Sequence, residues 1–255
     1  MITKRTVGTD TWIDLTNPTA EEVRELASEY HLSDRVVEDL TTPTLRHTVE
    51  FGEHNAYLVL HFPAFRDGDD AAFEVDFVVG KNYLITAHYG ENRVMAQFRE
   101  TPSTPAFFGL LHTLLNDFDA KLAEVDHWVR DTEKQMFDGA EKKTIFELSE
   151  ASRHLIDFKK ITAVYPDSFK ELKEQGKQMF GNKFVELVDE VLASFGKAEA
   201  KMNLLSESVH ELRETNSSVL SAKQNETMKT LTSVTVVATI IVGIALIWLG
   251  YLALK

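Results

Sequence analysis

The spacing of apolar positions changes character partway along this chain. Over the first hundred residues the signal is short and mostly of period two, as on a half-buried sheet. Residues 11–15 (TWIDL) alternate like a strand. Asn17, Pro18 and Thr19 mark a turn and a helix start, and Thr19 with Glu22 is spaced as a capping box for a helix to Tyr30. Ser33 opens a second short helix through Leu40. Runs rich in β-branched and aromatic residues follow at 48–51, 56–62, 72–79 and 83–88, with turn signals at 52–55, 67–70 and 80–82. The pattern predicts an α/β domain with a largely antiparallel sheet over residues 1–103.

From Thr104 the period lengthens. Leu110, Leu111, Leu114, Leu115, Phe118, Leu122, Val125 and Val129 recur at helical spacing as far as Phe137, and Asp138 and Gly139 break that helix. A second helix is predicted over 141–176, with a kink or a break at Pro166, which cannot donate into the helical ladder. In the third segment Val188, Val191, Phe195, Ala198, Met202, Leu205, Val209, Leu212, Asn216 and Val219 alternate steps of three and four over more than four heptads. That is the seam of a helix packed along a partner helix. The partner is either another helix of the same chain or a second copy, and Asn216, as a register-setting polar layer, argues for the copy.

No proline separates this seam from the uncharged run 231–254, LTSVTVVATIIVGIALIWLGYLAL. The run exceeds the roughly 20 residues that cross a bilayer, and Trp248 and Tyr251 lie near its distal end, where an aromatic belt is expected. One helix from Asn182 to Leu254 would be about 110 Å long, a rod suited to a stalk that enters a membrane. The expected division is a helical stalk over 104–230 and a single transmembrane helix over 231–254. Lys223 and Lys229 precede the run, Lys255 follows it, and the first residues lack an apolar leader. Both observations predict a single-pass protein of the cell inner (plasma) membrane with its N-terminal domain in the cytoplasm. Thr232, Ser233, Thr235 and Thr239 would face membrane lipid unless copies associate.

Composition narrows the chemistry. The 255 residues include no cysteine, which excludes disulfides, Cys-ligated zinc and cysteine nucleophiles. A formal net charge of -13 argues against a nucleic-acid surface, which needs a positive field. It suits a surface that attracts cations and equally one that is acidic for solubility. His47, His54 and His61 recur every seven residues, yet on strands and the turn between them they read as sheet histidines that do not share a face, rather than a metal site. Asp67, Asp69 and Asp70 read as an acidic turn, since the distant Glu of a calcium loop is missing. The helix acids Asp117, Asp119, Glu124, Asp126, Asp131, Glu133 and Asp138 read as a solvated face or as an attractor of cations. There is no glycine-rich phosphate loop or G-x-S-x-G elbow, so an enzyme is not expected.

The stretch Asn225-Glu226-Thr227-Met228-Lys229-Thr230-Leu231 resembles the N-E-x-M-K-x-L run that leads from stalk to pore in CorA-type magnesium channels. Further matches occur in order. Pro43-Thr44-Leu45-Arg46 with residues 57–63 (YLVLHFP) is similar to that family's P-x-x-R strand pair, and 75–79 with 83–88 to its next two strands. Residues 155–166 resemble its stalk-packing helix, proline included. The resemblance implies a funnel-shaped homopentamer whose long helices converge on a central pore, with Mg²⁺ or another divalent cation as the transported or regulatory ion. By position it implies that Asn225, Met228, Leu231, Thr235 and Thr239 line the pore and that Glu214 forms an acidic ring at its cytoplasmic mouth. The family's Gly-Met-Asn filter and second membrane helix are not matched in these residues. A second reading therefore stands beside divalent-cation transport: a non-conducting CorA-like scaffold, Mg²⁺ sensor or partner subunit.

Overall fold

The computed structural model describes residues 1–8, 10–44, 46–65, 72–98, 104–137 and 141–253. The acidic turn at 67–70, the break at Asp138 and Gly139, Leu45 and the last residues of the apolar run lie outside them. Six strands form one sheet: β1 (Ile2–Val7), β2 (Asp10–Thr16), β3 (Val49–Phe51), β4 (Asn55–Pro63), β5 (Ala72–Gly80) and β6 (Tyr83–His88), in the order β1-β2-β6-β5-β4-β3. Every neighbouring pair is antiparallel except β2 with β6. That parallel pair arises because the chain leaves β2 through α1 (Ala20–Tyr30) and α2 (Asp34–Asp39) and returns through a meander whose last strand lies beside β2.

Side-chain alternation divides the sheet between two cores. Trp12, Leu58, Leu60, Phe77 and Leu84 pack with the long helices, while Ile13, Leu15, Tyr57, Val59 and Ile85 pack with α1 and α2. The expected capping box opens α1: Thr19 Oγ1 accepts from Glu22 N at 3.3 Å, and the Glu22 carboxylate accepts from Thr19 N at 2.9 Å. At α2 the cap is one-sided: Ser33 Oγ accepts from Val36 N, and Val36 has no side-chain acceptor to return the bond. The periodicity did not reveal β1, because this edge strand buries only Val7 and carries no apolar alternation. Nor did it reveal α3 (Arg93–Gln97), a single short helix.

Four helices follow: α4 (Ala106–Phe137), α5 (Glu141–Thr162), α6 (Tyr165–Phe180) and α7 (Asn182–Ala253). Pro166 lies in the first turn of α6, so it starts a helix instead of kinking one. Gly176 does not end that helix. A Cβ there would lie 2.6 Å from the Phe184 ring, so the glycine lets α6 and α7 approach closely. The turn between them is made by Gly181 at φ 84.

The heptad seam is satisfied within the chain. Val188, Val191, Phe195, Met202, Leu205 and Val209 are buried against α4, α5 and α6. Asn216, expected to set register between copies, is 1% exposed in the single chain and belongs to this internal packing. Beyond it α7 runs free: every residue from Ser221 to Leu252 is exposed except the half-covered Gly243. At 72 residues the helix is about 108 Å long. Its distal part is long and apolar enough to cross a membrane, the one such helix among the described residues.

Candidate functional site

The predicted stripe lies on this free part of α7 and just before it. At about 100° per residue, Glu214, Asn225, Met228, Leu231, Thr235 and Thr239 fall within an arc of about 120°. The centre of that arc is turned about 110° from the centre of the packed seam at Met202, Leu205, Val209 and Asn216. The residues that the sequence singled out thus share one face, and that face is turned to the side of the seam and not onto it. All six are exposed.

The hydroxyls on this helix have a defined polarity. Thr235 Oγ1 donates to Leu231 O and Thr239 Oγ1 to Thr235 O, each at 2.8 Å. Thr232 and Ser233 donate likewise to Met228 O and Lys229 O. With the proton held inside the helix, each oxygen presents only lone pairs outward. Two consequences follow. Such hydroxyls are tolerable in lipid without a partner, so their presence does not by itself require copies to associate. Outward they are acceptors, as is the Asn225 side-chain oxygen. A hydrated divalent cation points water hydrogens outward and sheds that shell reluctantly, so a row of neutral acceptors is what its shell can bond to. Met228 and Leu231, 62% and 56% exposed, are the apolar members of the stripe. Glu214 Oε1 is 3.4 Å from His210 Nε2, both well exposed, so its charge remains open to solvent.

The other candidates resolve as structure. His47 and His61 do meet, ring centroids 4.8 Å apart, whereas His54 lies elsewhere, beside His31. His61 Nε2 is 2.9 Å from Glu74 Oε2, and both Glu74 oxygens accept from Thr44 N at 2.8 and 2.9 Å. This group ties the segment after α2 to β5. The α4 acids are largely ion-paired: Asp117 with Lys121, Asp126 with Arg130, Asp131 with Lys134, and Asp119 with Lys201 of α7 at 2.9 Å. Among the described residues, no three His, Asp or Glu side chains gather to hold a metal ion.

One residue escaped the sequence reading. Asp76 on β5 has no exposed surface. Its Oδ2 accepts from Tyr57 and Tyr89 hydroxyls at 3.2 and 3.4 Å, and its Oδ1 has no hydrogen-bond partner. Burial, then the Glu74 carboxylate, pushes its pKa well above the ordinary value. The available signal was a lone acid inside the apolar strand run VDFVV.

The sequence profile of the family described as CorA-like Mg2+ transporter protein matches residues 9–245. Among solved structures, the fold is similar to the full-length CmaX protein (TM-score 0.72, 14% identity, 87% of this chain and 72% of that one). It is also similar to the complete CorA magnesium transporter from Methanocaldococcus jannaschii (0.74, 16%, 89% and 75%). The cytoplasmic domain of ZntB from Vibrio parahaemolyticus RIMD 2210633 is a further likeness (0.59, 13%, 87% and 90%). At these identities the likeness is one of fold. No curated protein matches the sequence.

Proposed function

We propose, since this chain belongs to the CorA-like Mg²⁺ transporter family, that it carries divalent cations, Mg²⁺ first, across the cell inner membrane. In this reading the sheet domain and stalk stand in the cytoplasm, and the apolar part of α7 is the membrane segment. Copies of the chain, a homopentamer, stand around an axis toward which the stripe faces. Rings of Asn225, Thr235 and Thr239 oxygens hold the hydrated ion through its waters. Rings of Met228 and Leu231 close the path by dewetting, and a ring of Glu214 concentrates cations at the cytoplasmic mouth.

The observation that supports this most is continuity. One unbroken helix carries an acceptor stripe from the charged stalk into the apolar run, on the face its own stalk leaves free. The test is Mg²⁺ flux into proteoliposomes. The wild-type chain should give flux above empty liposomes, and Asn225→Leu, which removes an oxygen from every copy, should lower it by about tenfold or more, ~1.4 kcal/mol of barrier. Flux no greater than in empty liposomes overturns transport and favours the non-conducting scaffold, sensor or partner subunit.

A further inference from the structure

A cavity of about 360 Å³ opens where the sheet meets the starts of α4 and α7 and the end of α6. Along α7 it lies about 70 Å from the start of the apolar run. Its size is within the range of small-molecule sites, roughly 300 to 1,000 Å³. The walls are aromatic: Phe107 and Phe108 from α4, Phe180 from α6 and Phe184 from α7. Three of these are buried and brace one another, with Phe108 and Phe184 centroids 5.2 Å apart. Phe180, half-buried and 4.6 Å from Phe184, is the ring left partly open.

The mouth has the opposite charge to the rest of the molecule. In a chain of net charge -13, Lys81 from the β5–β6 turn and Lys183 from the first turn of α7 both line this cavity. Lys81 is exposed and makes no ion pair among the described residues, while Lys183 reaches Glu186 at 3.3 Å, an exposed pair that a ligand can displace. The one acid of the lining, Asp10, is buried and accepts from Ala106 N at 3.0 Å, so its charge is directed at the start of α4. The first turn of α7 carries no acid, which leaves its positive end uncompensated at the same mouth. At Lys81, Asn82, Tyr83 and Met179, which line both, the cavity adjoins an open cleft of about 890 Å³. Gln175 and Gln178 supply amides there, and His54, Glu53 and Glu174 line the same cleft.

We propose that this cavity binds a small aromatic phosphate, a planar ring joined to a phosphate group. The planar ring lies against Phe180, and the phosphate lies between Lys81 and Lys183. An apolar slot alone would take any hydrophobe, and two lysines alone any anion; a ligand that uses both must join a flat ring to a negative group. The site does not depend on the transport reading, because it is formed by the stalk and sheet of one chain.

The experiment is a fluorescence-anisotropy titration of the full chain in detergent with methylanthraniloyl-AMP. Saturable binding is expected. The exposed pair Lys81→Ala with Lys183→Ala should weaken it by about tenfold or more, Lys81→Arg with Lys183→Arg should retain it, and Phe180→Ala should weaken it. The lysine variants should melt as the wild type does, so lost binding cannot come from lost fold. Three results would each overturn the site: no saturation in the wild type, unchanged affinity in the double alanine variant, or equal affinity for methylanthraniloyl-adenosine, which lacks the phosphate.

Discussion

A carboxyl group with no exposed surface and a second carboxylate beside it is cheaper to bury protonated than charged, and Asp76 is in that position even though the Tyr57 and Tyr89 hydroxyls that donate to it favour the charged form. Arg35 on α2 pairs with Glu50 at 2.8 Å and with Asp39 at 4.0 Å, and His61 pairs with Glu74, so neither cation is paired with Asp76. The folded chain therefore holds the Asp76 proton to a higher pH than the unfolded chain, whose carboxyl titrates near the ordinary value of about 3.9. Asp76 thus contributes stability that is fully present below the unfolded value and lost as pH rises through the raised folded value. His47 acts oppositely. Its pKa is lowered by burial and then by facing His61, so its contribution is lost as pH falls. A comparison of wild type with Asp76→Asn isolates the first effect. Asparagine keeps the acceptor and the shape without the charge, so its advantage in urea midpoint should grow as pH rises from about 4 to about 8. A difference that stays constant with pH would contradict a protonated Asp76. The strand was legible in VDFVV, but what an acid does within it depends on Tyr57 and Tyr89, which the chain brings there only through the sheet.

Among the elements, the helices were legible wherever a local rule decides and less so where a neighbour does. The Thr19–Glu22 box and the Ser33 cap fell where the sequence placed them, because both ends are set within a few residues. Pro166 could be a kink or a break from sequence alone, and the structure resolves it as a start. Gly176 looked like an end because its reason, the Phe184 ring, comes from the next helix. The heptad seam announced that α7 has a partner but not that the partners are its own α4, α5 and α6. The parallel pairing of β2 and β6 joins strands separated by five elements, which no local pattern records. A pair of substitutions separates these glycine roles. Gly176→Ala drives a methyl into Phe184 and should destabilise the chain by about 1–3 kcal/mol. Gly196→Ala, with open space at its Cβ in mid-helix, should stabilise it by about 0.5–1 kcal/mol. Urea melts of the two variants check both signs. Equal effects would mean that α6 and α7 do not pack as described.

At the scale of the molecule, the pieces divide the labour along one rod. The sheet and α4 to α6 cover one side of α7 with apolar contact, which is ample to hold a stalk within a single chain. They leave the flank that carries the acceptors, and the whole apolar end, without intrachain cover. Burying such an end is the task of lipid on most of its circumference, and the stripe, with its outward acceptors, is the part that a neighbouring copy or a hydrated ion can use. The central claim is that copies of the chain meet along that stripe. Because the chain has no cysteine, single substitutions report on it without background. Thr235→Cys lies on the stripe and Val237→Cys, two residues on, lies about 160° around the helix from it. Oxidation of each variant in membranes, followed by non-reducing electrophoresis, is the direct measurement. The account predicts disulfide-linked dimers from Thr235→Cys and few or none from Val237→Cys; linkage that favours Val237→Cys, or none at Thr235→Cys, would contradict it.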